Sequence, residues 1–375
     1  MSGYPNLGHY ASSQGHRGGA PLFVPGLPVP GRPGYLLAVL LSGALLAAPA
    51  WCDTIIKRDG TAQECELEEA TWEKVSFKFP GVSQKQDMAA SEIQGLVWSQ
   101  ANRAIINGVG LLESGKFEDA EATLKGALNA QGKFGGYVYW LLARAQLALG
   151  ARTPAKFGEA MMTAKDCASK FKAKKDFYVP HCAEVQGLAA IAAKDYAEAT
   201  KVFQDLASGS YGAHWKSAGD LGQARTLLAQ EKFEDARRKF SEIASAAGVS
   251  PSVQMQANLG YAQAQFGMGS NEAAAKHVRE KILESKASPP TLDEYRTRAF
   301  ILWGDAQAKA GGEENMHYAL VRYFRAIAIG CPDSELLAEA TYKAMKACEQ
   351  LGWQDKAQQL KVDLGQKYPK SPWNR

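Results

Sequence analysis

Phe117-Glu118-Asp119-Ala120 is the phrase whose reading decides the fold, because it keeps coming back. It returns as Phe157-Gly158-Glu159-Ala160, Tyr196-Ala197-Glu198-Ala199, Phe233-Glu234-Asp235-Ala236 and Asn271-Glu272-Ala273-Ala274, with degraded copies at Tyr318-Ala319 and Gln354-Asp355-Lys356-Ala357. Successive alanines (120, 160, 199, 236, 274, 319 and 357) stand 40, 39, 37, 38, 45 and 38 residues apart. A near-constant period of this size marks an array of stacked units, each too small to bury its apolar face alone.

Working outward from the phrase, each alanine lies near the start of a second helix, with a small residue twelve or slightly more positions earlier in a first helix: Gly108, Ala143, Gly187, Ala224, Ala262 and Gly304. Small residues let two backbones approach, and the aromatics three before and often four after the alanine (Phe203, Phe240, Tyr323) fill the space left over. Punctuation agrees. Gly115, Gly150, Gly248 and Gly311 stand at predicted helix ends, Pro154, Pro180 and Pro251 at helix starts, and Ser250-Pro251 reads as an N-cap before a first-turn proline. Residues 101–375 are therefore expected to be mainly α, in about seven hairpins.

These residues resemble tetratricopeptide (TPR) repeats, helix–turn–helix units of about 34 residues. Tyr139, Leu142, Ala143 and Gly150 match the first-helix signature, as do Phe300, Trp303, Gly304 and Gly311. Lys194-Asp195-Tyr196, Ala199 and Phe203 match the second, and Tyr368-Pro369-Lys370-Ser371 resembles the close of exported bacterial TPR proteins. The chain departs from the family in its longer period and in the fifth and seventh units, where aromatics are lost. The resemblance implies an α-solenoid that is no enzyme, carries no cofactor and binds a protein or peptide partner along its concave face.

Upstream the pattern changes. Thr54–Arg58, then the turn pair Asp59-Gly60, Thr61–Leu67, Trp72–Phe79, Val82–Met88 and Ile93–Trp98 read as short strands, so 51–100 is expected to be a small all-β module of SH3-like or Sm-like kind. A sheet of this size is marginal alone and is expected to pack on the first helix. Residues 1–34 hold eight Gly, six Pro and no acid, a composition that builds no core. An apolar run, Leu36–Ala48, and then Ala48-Pro49-Ala50 follow. That order reads as a leader and signal peptide over 1–50, cut after Ala50, placing the protein in the periplasm or cell envelope; an uncleaved anchor stays open. Trp51 stands where a lipoprotein box requires a small residue, so Cys52 is not expected to carry lipid.

Charge excludes some functions. The chain of 375 residues is 46% apolar with a net charge of +4, and beyond residue 50 it holds 41 basic against 39 acidic groups. Nothing there makes the basic face that nucleic acid requires. Six cysteines (52, 65, 167, 182, 331 and 348) permit disulfides, with Cys52–Cys65 across a hairpin and Cys331–Cys348 around a helix junction as candidates; buried packing is the alternative for each.

Catalytic and metal motifs are thin. Gly110–Lys116 has the G-x4-G-K spacing of a phosphate loop, but Phe117 follows where magnesium needs Ser or Thr, so it reads as a hairpin turn. His181, His214, His277 and His317 read as isolated, and His181-Cys182 with Cys167 lack metal-ligand spacing. Glu118-Asp119 and Glu234-Asp235 fall in first turns, where carboxylates favour the helix dipole, and adjacent positions do not face each other for acid–base work. Aligning the units places Trp140, Arg144, Glu184, Arg225, Gln263 and Asp305 on the inward face as partner-binding candidates. The leading expectation is a non-enzymatic TPR scaffold in the cell envelope. One alternative is a glycan- or peptide-binding β module, with Trp72 and Trp98 exposed for stacking and the repeats as spacer. The other is an enzyme subunit with a site between that module and the first repeats.

Overall fold

The structure, a computed structural model, describes residues 52–58, 61–99, 101–128, 134–285, 293–331 and 333–374. The expected leader and signal peptide, 1–50, lie outside the described residues. Five strands come first: β1 (Asp53–Lys57), β2 (Ala62–Ala70), β3 (Lys74–Lys78), β4 (Lys85–Ala89) and β5 (Ile93–Val97). They form one antiparallel sheet in the order β4-β3-β2-β1-β5, so the last strand returns beside the first, as a curled SH3-like sheet requires. The buried Asp53 carboxylate fastens that closure. It accepts from the Leu67 N–H at 3.1 Å on β2, and from the Ser99 N–H at 2.8 Å and hydroxyl at 2.9 Å beyond β5.

Two details differ from the sequence reading. Strand β4 starts at Lys85, because Gly81 turns the chain at φ +76° and 82–84 stay irregular. Trp72 precedes β3 and leaves the sheet altogether. Register also bears on the Cys52–Cys65 bridge: Asp53 sits opposite Cys65, so by alternation Cys52 belongs to the other face.

Fourteen helices follow among the described residues, in seven hairpins: α1 (Arg103–Glu113) with α2 (Phe117–Ala127), α3 (Gly135–Gly150) with α4 (Ala155–Phe171), α5 (Val179–Ala192) with α6 (Tyr196–Ala207), α7 (Ala213–Ala229) with α8 (Phe233–Ser245), α9 (Pro251–Gly267) with α10 (Asn271–Val278), α11 (Asp293–Ala310) with α12 (Glu313–Ile329), and α13 (Ser334–Gln350) with α14 (Gln354–Lys367). All seven repeat alanines are buried, as are the small partners of the first helices. The Phe203 ring shows why. It lies between Gly187 of its own hairpin and Gly222 of the next, at positions where an added Cβ would overlap it. The Ser250 hydroxyl caps α9 by accepting from the Val253 N–H, as expected. Gly110–Lys116 is a hairpin turn, with α1 ending at Glu113 and Gly115 at φ +72°. Helix α10 loses its aromatic to Val278 and runs into a wide π turn, Arg279–Leu283.

Curvature follows from which helices touch. Each first helix packs on the first helix of the next hairpin, whereas successive second helices have no comparable contact among the described residues. The first helices thus form the tighter, concave layer. The curl is strong enough that Arg152, in the α3–α4 turn, reaches Glu335 at the start of α13, with Nη2 to Oε1 at 3.1 Å. The other oxygen of Glu335 accepts from the Ser371 hydroxyl at 2.6 Å.

The sheet and the array share one core. Ile55, Leu67, Val75, Phe77, Ile93, Leu96 and Trp98 pack with Ile105, Leu124, Tyr137, Val138, Leu141 and Leu142. Trp72 crosses into the next cluster and meets Tyr211 edge-on at 5.2 Å. Its backbone N–H donates to the Lys175 carbonyl at 2.9 Å, and Phe177 donates to Ala70 at 3.2 Å, which ties the sheet to the α4–α5 loop.

Candidate binding groove

Three consecutive first helices build the candidate site. On α3, Tyr137, Trp140 and Arg144 sit at i, i+3 and i+7, hence on one face. On α5 the corresponding stripe is His181 and Glu184, and on α7 it includes Arg225. Neighbouring first helices place these stripes side by side on the concave layer.

Aromatic rings make the wall. Trp140 stacks on Tyr137 with centroids 6.0 Å apart and lies 5.3 Å from Tyr178. The His181 ring meets Trp140 edge-on at 5.6 Å and Trp215 at 4.7 Å, while its Nδ1 lies 3.0 Å from the Phe177 carbonyl. The Arg144 guanidinium stands 4.7 Å above the Trp140 ring, a cation–π contact. The His214 ring also lies 5.8 Å from that of Trp215.

Charge completes the site. Glu184 is half-covered yet sits deep among the surrounding side chains; burial raises its carboxyl pKa against the pull of Arg225, Arg144 and Arg58. Burial lowers Arg225, and the dense surroundings of Arg58 lower it too although much of it is exposed, with Glu184 opposing both. Arg58 comes from the end of β1, so the sheet overhangs the groove. Burial drives His181 down to about 3, helped by Arg58, His214 and Arg144, and takes His214 to about 4, helped by Arg58. Both imidazoles are neutral at pH 7. Among the described residues Glu184, Arg58 and Arg225 close no ion pair with one another, although Arg225 donates to the Gln256 side chain at 2.6 Å.

The structure therefore brings Trp140, Arg144, Glu184 and Arg225 together. Gln263, at the matching position on α9, is half-buried and makes none of these contacts. Asp305 is engaged elsewhere: it accepts from the Tyr323 hydroxyl at 2.9 Å and from the Lys343 ammonium at 2.6 Å. Lys343 also pairs with Glu339 at 2.9 Å. Burial works against its charge, yet Asp305 and Glu339 raise its pKa, so this inward trio is a packing network between the sixth and seventh hairpins.

Sequence reasoning missed His181, His214, Trp215, Gln256 and Arg58. His181 was recoverable, because it precedes Glu184 by three on the same helix face; Arg58 was not, since nothing local ties a strand end to a repeat groove. The histidines at 181 and 214 are not isolated. Cys182 points away from His181 into the core beside Cys167, and among the described residues no cluster of three His, Cys, Asp or Glu could hold a metal ion. Trp72 and Trp98, expected to be exposed under the glycan-binding reading, are only 7% and 5% exposed, because both fill cores shared with the helices. Part of the junction between sheet and first hairpins, where the sequence allows an enzymatic pocket, is taken up by the same apolar packing, with Arg58 and Glu184 beside it.

No family model matches the sequence. No curated protein matches it. Among solved structures, the chain is similar to a tetratricopeptide repeat protein from Parabacteroides merdae ATCC 43184, at 16% identity over 64% of this chain and 97% of that one, with a TM-score of 0.36. So loose a likeness carries no argument, and the solenoid reading rests on the repeat geometry itself. Among the described residues no helix is long and apolar enough to cross a membrane.

Proposed function

We propose that this protein is a non-enzymatic, TPR-like scaffold of the cell envelope that holds a segment of a partner protein in the groove formed by α3, α5 and α7. One observation carries the reading. In the C-terminal half the inward charges are consumed by one another, with Arg298 bonded to Glu294 at 3.0 Å and Asp333 at 3.4 Å, and Lys343 to Asp305 and Glu339. In the N-terminal half Glu184, Arg58 and Arg225 share a recess walled by Trp140, His181 and Trp215, and among the described residues none of the three ion-pairs with another. Partly desolvated charges held apart beside fixed aromatics are preorganised for an incoming polar chain, and Arg and Trp are enriched among the residues that dominate interface energies. The signal-like leader and the small sheet before the repeats support the envelope location.

The test is paired capture. Immobilised wild type and the Arg144→Ala and Glu184→Gln variants are exposed to the same envelope extract, and bound proteins are identified by mass spectrometry. A partner retained by wild type and lost by both variants is expected. Identical bound sets on all three proteins would remove the groove from the function while leaving the solenoid intact. N-terminal sequencing of the exported chain checks the location; a start upstream of residue 50 contradicts cleavage there.

A further inference from the structure

Cys167 and Cys182 occupy facing positions on α4 and α5, the second helix of one hairpin and the first of the next. Neither is exposed at all, and both belong to one core cluster with Ala160, Ala164, Val179 and Ala189. Those small neighbours matter, because they let α4 and α5 pack closely along this stretch. Both are free thiols in the structure; Cys182 lies near enough to Cys167 for the two to influence each other, and the Cys167 thiol donates to the Gly136 carbonyl at 4.0 Å.

The other cysteines are differently placed. Cys331 and Cys348 sit in separate cores, and Cys52 and Cys65 fall on opposite faces of the sheet. We infer that Cys167 and Cys182 are the dithiol of this chain that closes to a disulfide in an oxidising compartment, fastening the second hairpin to the third. The inference does not depend on the groove reading, although Cys182 lies between His181 and Glu184 and the bond would stiffen the helix that carries both.

The chemistry is thiol–disulfide exchange. The thiolate of one cysteine attacks a sulfur of a protein or small-molecule disulfide, forming a mixed disulfide and releasing one thiol of the oxidant. The second cysteine, as thiolate, then displaces the oxidant's remaining thiol and forms the Cys167–Cys182 bond. Two protons and two electrons pass to the oxidant, which is released as two thiols. Burial and the neighbouring thiol push Cys182 well above its usual pKa, so the packed protein reacts poorly. The bond therefore forms while the hairpins are still assembling, and afterwards the core shields it from reductants.

The test uses the full chain, refolded from denaturant in an oxidising glutathione buffer, alkylated in denaturant without reductant and digested. The expected result is a linked peptide pair containing Cys167 and Cys182, two hydrogens lighter than the free pair, with Cys331 and Cys348 alkylated. Reductant added before refolding should lower the melting midpoint by on the order of 5 °C, and the Cys167→Ala/Cys182→Ala protein should lose that reductant dependence. Full alkylation of both residues, or linkage of either to a different cysteine, would overturn the inference. If the double variant fails to fold, the peptide map of the wild type still decides.

Discussion

Phe203 provides the sharpest test of how the hairpins stack. An alanine Cβ at position 187 would lie 2.5 Å from its Cζ and 2.6 Å from its Cε2. The ring must retreat about 1 Å to regain ordinary contact, but Gly222 of α7 closes on the opposite edge and blocks the way. Helix propensity favours Gly→Ala by about 1 kcal/mol, and overpacking a full core costs about 1–3 kcal/mol. With the ring held on both sides the steric part dominates, so Gly187→Ala should destabilise by about 2 kcal/mol. Gly110 is the control: it is exposed on α1, and a Cβ there would meet nothing within 4 Å. Gly110→Ala should therefore stabilise by up to about 1 kcal/mol. Urea unfolding followed by circular dichroism reads both, and the double variant Gly187→Ala/Phe203→Leu should recover at least about 1 kcal/mol relative to additivity. If Gly187→Ala stabilises as Gly110→Ala does, or the double variant is additive, the clamp does not exist.

Acid should weaken the fold before carboxylates titrate. Burial holds His181 at about 3 and His214 and His277 at about 4, below their usual 6.5, so under that value the unfolded chain binds protons that the folded chain refuses. Stability then falls as pH drops through 6.5 and the loss levels off near the folded values, with at most about 1.4 kcal/mol per pH unit for each imidazole. Urea midpoints at about pH 7.5 and about pH 5.5 should show it, and His181→Gln should flatten the slope; an unchanged slope removes His181 from the explanation. Separately, Arg152→Ala breaks the contact to Glu335 that closes the superhelix, together with one to Glu118 of the preceding hairpin. It should increase the radius of gyration in small-angle scattering while changing stability by under about 1 kcal/mol; an unchanged scattering profile means that packing, not this pair, sets the curl.

The array was legible because its signal is local. An alanine at a fixed place in each second helix can only be there to let a neighbour approach, and all seven are buried as that reasoning requires. Turn chemistry was less complete. The residue five before the repeat alanine is left-handed in several hairpins, as glycine at 115, 269 and 352, but as Lys194 and Glu231 in two others, where composition gives no hint of it. Long-range features were not legible. Trp72 sits in a strand-like pattern yet packs against Tyr211, and Arg152 meets Glu335 across the curled array. Asp305 shows the limit of repeat alignment. It was placed as a partner-binding candidate, but in the structure it bonds to Lys343 in the next hairpin, which alignment of first helices alone cannot supply.

The contrast between the two halves of the inner face explains why one array can be both rigid and receptive. A buried ion pair adds little net stability, but removing one partner leaves the other charge stranded at high cost. The Asp305–Lys343–Glu339 and Glu294–Arg298–Asp333 networks therefore act less as sources of stability than as locks on the geometry of the last hairpins. Around Glu184 no such lock forms among the described residues: burial raises its carboxyl and lowers Arg225, while Arg58 stands at the exposed rim. A partner that supplies hydrogen bonds and counter-charge there offsets that burial, whereas the same partner laid on the C-terminal half would have to compete with pairs already made. Under the proposed function, binding is directed to α3, α5 and α7, and Arg58 makes the sheet part of the proposed recognition surface.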